Sequence, residues 1–444
     1  MTRTLRGIAA ALLVAFLLAQ QLPLPSVALA AEDTPAEEEP SSPNDPNQAP
    51  AKPTEDKSVR DKDQSPVESE GTNPEEPVSN EEDETAPSIE EPPPVSLSAA
   101  PPNRGPSSTA YAVFDSSTKA LTLIRSYESV ADGPNQTITD VMGNTHTGYV
   151  WGGIESIEAT CAEDVPWHEY ADPYYGYQSV AVADGCTVSP ASCAWWFYGA
   201  WHLTSVNLTG LDTSGTTSFA HMFDGCSNLQ HLDVTPFNTS AATSMAYMFN
   251  YCRYLGEINP SGFDTSNVTD VSHMFCQCEH VTSLDLSGWD TSGVTDMSYL
   301  FSLCKAMASL DVTGWDTSAV TDMSHMLCGC NALVHVPTEV LDTSSCTNMS
   351  GMFGGCWVAQ SLDLSGFDTS NVMDMSNMFT SCQALESLDL SSFDTTSVTN
   401  LTLMFQTCTS LRTLDLSSFE TSGATTADTM FKVAGFFGQN NRFS

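Results

Sequence analysis

Eight cysteines, Cys226, Cys252, Cys278, Cys304, Cys330, Cys356, Cys382 and Cys408, each stand 26 residues from the next, and no insertion breaks the series. Phe223, Phe249, Phe275, Phe301, Leu327, Phe353, Phe379, Phe405 and Phe431 keep the same period, three residues ahead of the cysteine position. So does a row of Asp212, Asn238, Asp264, Asp290, Asp316, Asp342, Asp368, Asp394 and Glu420. A fixed period in the twenties leaves few options. Each repeat is one coil too small to bury its own apolar face, so it must cover its neighbour's. The expectation is a solenoid of about ten coils over residues 195–434.

One unit, residues 279–304, reads EHVTSLDLSGWDTSGVTDMSYLFSLC. Leu284 and Leu286 flank Asp285, the alternation of a short strand with two residues inward and one outward. Val294, Met297, Leu300, Phe301 and Cys304 recur at three- and four-residue intervals, which predicts a short helix with Thr295 as cap and Asp296 in its first turn. The expected fold class is therefore an α/β repeat solenoid of right-handed coils like those of leucine-rich repeats. Each coil would be a short parallel strand plus a short helix, and a β-rich cap would cover the N-terminal coil. Strands about 4.8 Å apart would make a curved rod about 50 Å long.

The stretch SHMFCQC at 272–278 returns as SHMLCGC at 324–330, and each copy offers His, Cys and Cys in the manner of a zinc site. Register argues otherwise. The positions of His273 and Cys276 hold unrelated residues in other coils and are expected to face solvent, whereas Cys278 and Cys330 belong to the interior ladder. Ladder thiols in adjacent coils would lie within disulfide range. In-register side chains point the same way, however, so free, inert thiols are expected. Cys161, Cys186 and Cys193 lie outside the ladder, where a bridge is easier to form.

Ahead of the repeats, the chain divides by composition. MTRTLR, the apolar IAAALLVAFLLA and an A-x-A site at Ala28 and Ala30 read as a signal peptide over residues 1–30. After its removal no span long enough for a membrane remains. Residues 31–108 carry 20 acidic residues and 16 of the chain's 25 prolines, with almost no aromatics, so they read as an acidic, Pro-rich disordered linker. Residues 109–194 are aromatic, strand-like and outside the period, and read as the N-terminal cap segment; a separate ligand-binding domain is the alternative. Residues 435–444 form a C-terminal tail. With 55 acidic against 14 basic residues, the chain repels nucleic acid and anionic membranes.

FDTSNVTD at 263–270, LDLSGWDTSGVTDMS at 284–298 and LDLSGFDTSNVMDMSNMF at 362–379 closely resemble the repeat of BspA-like leucine-rich-repeat bacterial surface proteins. That resemblance covers residues 197–434, and the lead-in AYAVFDSSTKALTLIR at 110–125 is similar to the segment that precedes such repeats. It implies a secreted or surface-displayed, adhesin-like protein that binds host or neighbouring-cell proteins or glycans, and it transfers no catalytic residue. The closing GFFGQNNRFS carries no wall-sorting pattern of the kind such relatives often have. Release, non-covalent retention and a shortened gene stay open as alternatives. Near 337 the LDL phrase becomes HVP, with Pro337 at the outward strand position and Cys346 where neighbours have Val; a locally weaker coil is expected there.

For function, the outward acids Asp233, Asp285, Asp311, Asp363, Asp389 and Asp415 are the candidate binding residues. Carboxylates stacked at strand spacing repel by roughly 0.9 kcal/mol per pair even in water. Turn amides and Ser/Thr hydroxyls are expected to offset this. No cofactor is expected; calcium is the alternative these rows raise, though the EF-hand and glycine-rich nonapeptide patterns are missing from the sequence. No nucleophile elbow or phosphate loop appears, so the chain reads as a binding module and not as an enzyme. A structural surface rod without a specific ligand is the alternative.

Overall fold

The computed structural model describes residues 108–171 and 176–434, apart from 421, 425, 428 and 433, all within the compact unit Pro94–Ser444. The segments read as signal peptide and C-terminal tail, and all but the last residue of the linker, lie outside the described residues.

The chain enters through a β-rich segment. Strand β1 (Thr109–Asp115) turns into β2 (Ala120–Ser126), and Asp115 closes the turn by accepting from the Ser117 amide at 2.8 Å and the Thr118 hydroxyl at 2.8 Å. β3 (Gly133–Thr139) and β4 (Thr145–Gly152) add on the far side of β1 in antiparallel fashion. β5 (Ser179–Val182) and β6 (Ser205–Asn207) add beside β2 in parallel, giving the order β3-β4-β1-β2-β5-β6. Ser179 pairs with Ser205, so the 26-residue offset of the stack already operates here. Trp167 is fully buried and its Nε1 donates to the Trp196 carbonyl at 2.7 Å, tying the segment to the first coils.

In the stack, parallel pairing is brief. β7 (Ser283–Asp285) pairs with β8 (Ser309–Asp311), and β9 (Ser387–Asp389) pairs with β10 (Thr413–Asp415). A second line of single bridges runs without a break through Ser218, Ser244, Asp270, Asp296, Asp322, Asn348, Asp374, Asn400 and Thr426.

The expected helix in each coil does not form, and the α/β class is overturned with it. Apart from 3-10 turns at Ile154–Ser156, Ala162–Asp164 and His168–Ala171, the described residues contain no helix. Where the helix was expected, alternate amides leave the coil: Met297, Tyr299, Phe301 and Leu303 donate to the carbonyls of Asp322, Ser324, Met326 and Cys328 in the next coil. The intervening amides of Leu300, Ser302 and Cys304 close turns on Met297, Tyr299 and Phe301. Tyr299 (φ 56°) and Leu303 (φ 61°) take the left-handed conformation that no right-handed helix admits. Successive turns of this kind advance about three residues each, so they bury residues at the spacing of a helical face.

The interior Phe row runs in two stretches on either side of Leu327. Phe223, Phe249, Phe275 and Phe301 stack at 6.0, 5.5 and 6.1 Å, and Phe353, Phe379, Phe405 and Phe431 at 5.8, 5.6 and 5.4 Å. All eight ladder cysteines donate Sγ–H to a carbonyl of the preceding coil, as Cys278 does to Phe249 at 3.2 Å. The threonine of each Asp-Thr-Ser phrase is a second clamp. Thr291 is buried, donates to the Asp316 carbonyl at 2.8 Å and accepts from the Asp316 amide at 2.9 Å. Thr239, Thr369 and Thr395 repeat both bonds. A Thr291→Val variant keeps the shape but leaves that amide and carbonyl unpaired, and is expected to lose about 1–3 kcal/mol, read as a lowered urea midpoint.

Candidate functional site

Six of the outward acids named above sit together on the strand side of the stack and all are exposed. Each ends its short strand or strand-like segment and folds back on the turn that follows. Asp233 accepts from the Thr235 amide at 3.0 Å and hydroxyl at 2.7 Å; Asp285 and Asp363 do the same with Ser287 and Ser365. Asp311, Asp389 and Asp415 accept the amides of Thr313, Ser391 and Ser417. The hydroxyls of Thr235, Ser365 and Ser417 hold Asp233, Asp363 and Asp415 below the ordinary carboxylate range, and the amides of Thr313 and Ser391 do so for Asp311 and Asp389. One oxygen of each carboxylate is therefore committed to its own turn, and the other faces outward.

A lowered pKa means that the fold favours the ionised form. The stability so gained is complete above the unfolded value near 3.8 and is lost as the pH falls through the lowered values. The melting temperature is expected to fall between about pH 5 and pH 2. Replacing Asp363 and Asp389 with Asn, which keeps the turn acceptors, should flatten that dependence in a calorimetric pH series.

On another side of the coils, rings that the sequence reading placed in solvent form a stack. Trp195, His221, Tyr247, His273, Tyr299 and His325 lie face to face at 3.7, 4.4, 4.1, 4.4 and 4.5 Å, all half-buried and all left-handed in backbone. His221 Nδ1 lies 2.7 Å from Asp224 Oδ2, and the Asn250 amide donates to the other oxygen at 2.8 Å. Burial pushes the Asp224 carboxyl up and pushes His273 down to about 4. Cys276 is also not solvent-facing: it is buried beside this stack, and burial pushes its thiol up to about 12. The signal was present in the sequence, because six consecutive coils carry a ring at this position. Among the described residues no group of three His, Cys, Asp or Glu side chains is placed to hold a metal ion.

Cys161, Cys186 and Cys193, where a bridge was more plausible than in the ladder, are unpaired, as are the ladder cysteines. Cys226, Cys278, Cys330 and Cys382 are fully enclosed, and burial raises their thiols well above the ordinary value. The ladder is expected to resist a disulfide-exchange reagent in the native chain and to react only on unfolding, as a thiol titration with and without denaturant would read.

Over β7 and β8 lies an open groove of about 500 Å³, lined among others by Asp285, Asp311, His335, Pro337 and Glu339. His335 Nε2 is 3.2 Å from Glu339 Oε1.

Stacked 26-residue coils of turns and three-residue strands, joined edge to edge by parallel bridges, define a repeat protein. The profile of one family, described as "Mycoplasma protein of unknown function, DUF285", matches three overlapping stretches, residues 191–307, 255–362 and 347–443. The chain belongs to that family. No curated protein matches it.

Proposed function

We propose that the chain is an exported binding protein of the bacterial surface, adhesin-like and related to the BspA-like proteins whose repeat phrases it resembles, and that it acts by contact and not by catalysis. Its partners are host or neighbouring-cell proteins or glycans. The observation that carries this reading is how the residues of a coil are used. The Phe, Cys and Thr rows are consumed in stacking, while the carboxylates of Asp233, Asp285, Asp311, Asp363, Asp389 and Asp415 face solvent in a row. A repeat stack presents such a face over a long distance, which suits recognition of an extended partner.

The basic start, apolar core and Ala28/Ala30 site support export, and the acidic, proline-rich stretch behind them supports a spacer that sets the stack away from a surface. No metal is needed for the face to form, because the turn amides and hydroxyls already hold one oxygen of each carboxylate.

Binding of the purified chain to a panel of matrix proteins, mucins and glycans, with and without a calcium chelator, tests the reading. Saturable binding that survives the chelator is expected. Binding that the chelator removes would bring calcium into the site, and no saturable binding across the panel would leave a structural rod as the better account.

A further inference from the structure

The strand ladder is interrupted at several coil junctions, and at the one beyond β8 the sequence supplies the cause. His335, Val336 and Pro337 stand 26 residues after Ser309, Leu310 and Asp311 of β8, where a third strand would continue β7 and β8. Residues 335–337 form no bridge with either neighbouring coil, and neither do residues 361–363. Proline has no amide hydrogen to give a ladder. The coil turns on itself instead, with the Thr338 amide donating to the Val336 carbonyl at 2.8 Å and the Leu341 amide to the Thr338 carbonyl at 3.2 Å. Val336 stays buried, so the coil remains seated on the core. Only its strand is missing. Leu284 of β7 is buried, whereas Leu310 of β8 is half-exposed and lines the groove.

We propose that this groove takes an extended, basic peptide segment, which adds to the free edge of β8 and sets outward Lys or Arg side chains against Asp311 and Glu339, with Asp285 behind them. This deepens the binding reading above and rests on it. Three features specify the occupant. First, a strand edge offers main-chain donors and acceptors in a row, which only another extended backbone satisfies. Second, outward side chains on a strand recur every second residue. Asp311 lies outward on β8 with Asp285 in register behind it on β7, and Glu339 also lines the groove, so basic side chains on the outward face of an added strand meet carboxylates. Third, the groove lining contains no Lys or Arg, and its single basic group, His335, is already beside Glu339. The net charge of −41 steers cations toward the chain. A second copy of this chain would bring the same acidic face and the same net charge to the edge, so it is the poorer occupant.

Fluorescence anisotropy on the full chain gives the test, with a capped heptapeptide of alternating Lys and Val as the probe. The expected result is saturable binding that weakens with salt and falls about tenfold or more when Asp311→Asn and Glu339→Gln are combined. The Asn retains the turn acceptor, so folding is not at issue. A heptapeptide N-methylated at alternate residues, which keeps its charges but loses the edge-facing donors, is expected to bind at least about tenfold more weakly. Pro337→Asp, which restores the residue found in the flanking coils at this position, should close the edge, remove peptide binding and raise the melting temperature. The proposal is overturned if the heptapeptide does not bind, even where the partner panel shows saturable binding, an outcome that spares the broader reading. Equal binding of the N-methylated peptide overturns it too, as does undiminished binding to a folded Pro337→Asp variant. A concentration-dependent dimer that Pro337→Asp abolishes would give the edge to a second copy and would also overturn it.

Discussion

The hydrogen bond from one coil to the next, 25 residues on in sequence, is what the rest of the structure depends on. Met297, Tyr299, Phe301 and Leu303 have no acceptor for their amides within their own coil; the carbonyls of Asp322, Ser324, Met326 and Cys328 supply it. A buried amide without a partner costs about 1–3 kcal/mol, so a coil without a neighbour is not a stable unit. The same bonds explain why the period is strict. A single inserted residue would shift every donor off its carbonyl and, because strand faces alternate, would turn inward residues outward. They also hold Tyr299 and Leu303 in a left-handed backbone that costs roughly 1–2 kcal/mol each in isolation. Stacking of the rings at this position, Tyr247 on His273 on Tyr299, returns part of that cost, at about 0.5–1.5 kcal/mol per pair.

Much of this was legible in the sequence, and what was not has a physical reason. The Phe and Cys rows announced an interior because identical residues at a fixed offset must stack. The helix misled because Val294, Met297, Leu300 and Cys304 have the spacing of one helical face, and a chain of three-residue turns has nearly the same spacing. What separates the two is the sign of φ at Tyr299 and Leu303, and neither Tyr nor Leu advertises a left-handed backbone as Gly does. Where glycine does take the position, at Gly351 (φ 63°), its neighbours hold His325 and Asn377, so no single coil reveals the rule.

The candidate site was legible to a different degree. The Asp-Thr-Ser phrase pointed to carboxylates satisfied by nearby hydroxyls, and Asp264 with Ser266 or Asp290 with Ser292 shows that geometry at 2.6 Å. The phrase did not disclose that its threonine turns inward. Thr291 reaches a backbone 25 residues away, and a local pattern carries no trace of that. Cys276 was misplaced for the same reason: it is buried beside the ring stack, which is a property of six coils together and of no one of them.

Substitutions that would be minor one at a time coincide around a single coil. Leu327 stands in the Phe row, and no ring bridges Phe301 to Phe353. Pro337 removes the strand, and Cys346 replaces the valine of the neighbouring coils. The ring stack ends at Gly351, where a Cβ would lie 2.4 Å from the His325 ring. Cys356, whose acceptor is Leu327, makes the longest of the eight thiol bonds at 3.5 Å. Four rows thus change together within residues 327–351. In a stack whose stability is a sum over neighbouring interfaces, this places the weakest interface there. The bridge line through Asp322, Asn348 and Asp374 nevertheless continues across it, reinforced by Asn348 donating to Asp322 at 3.1 Å. The coil therefore gives up its strand without leaving the stack. That is the condition under which the edge of β8 can stay unpaired while the coils remain stacked.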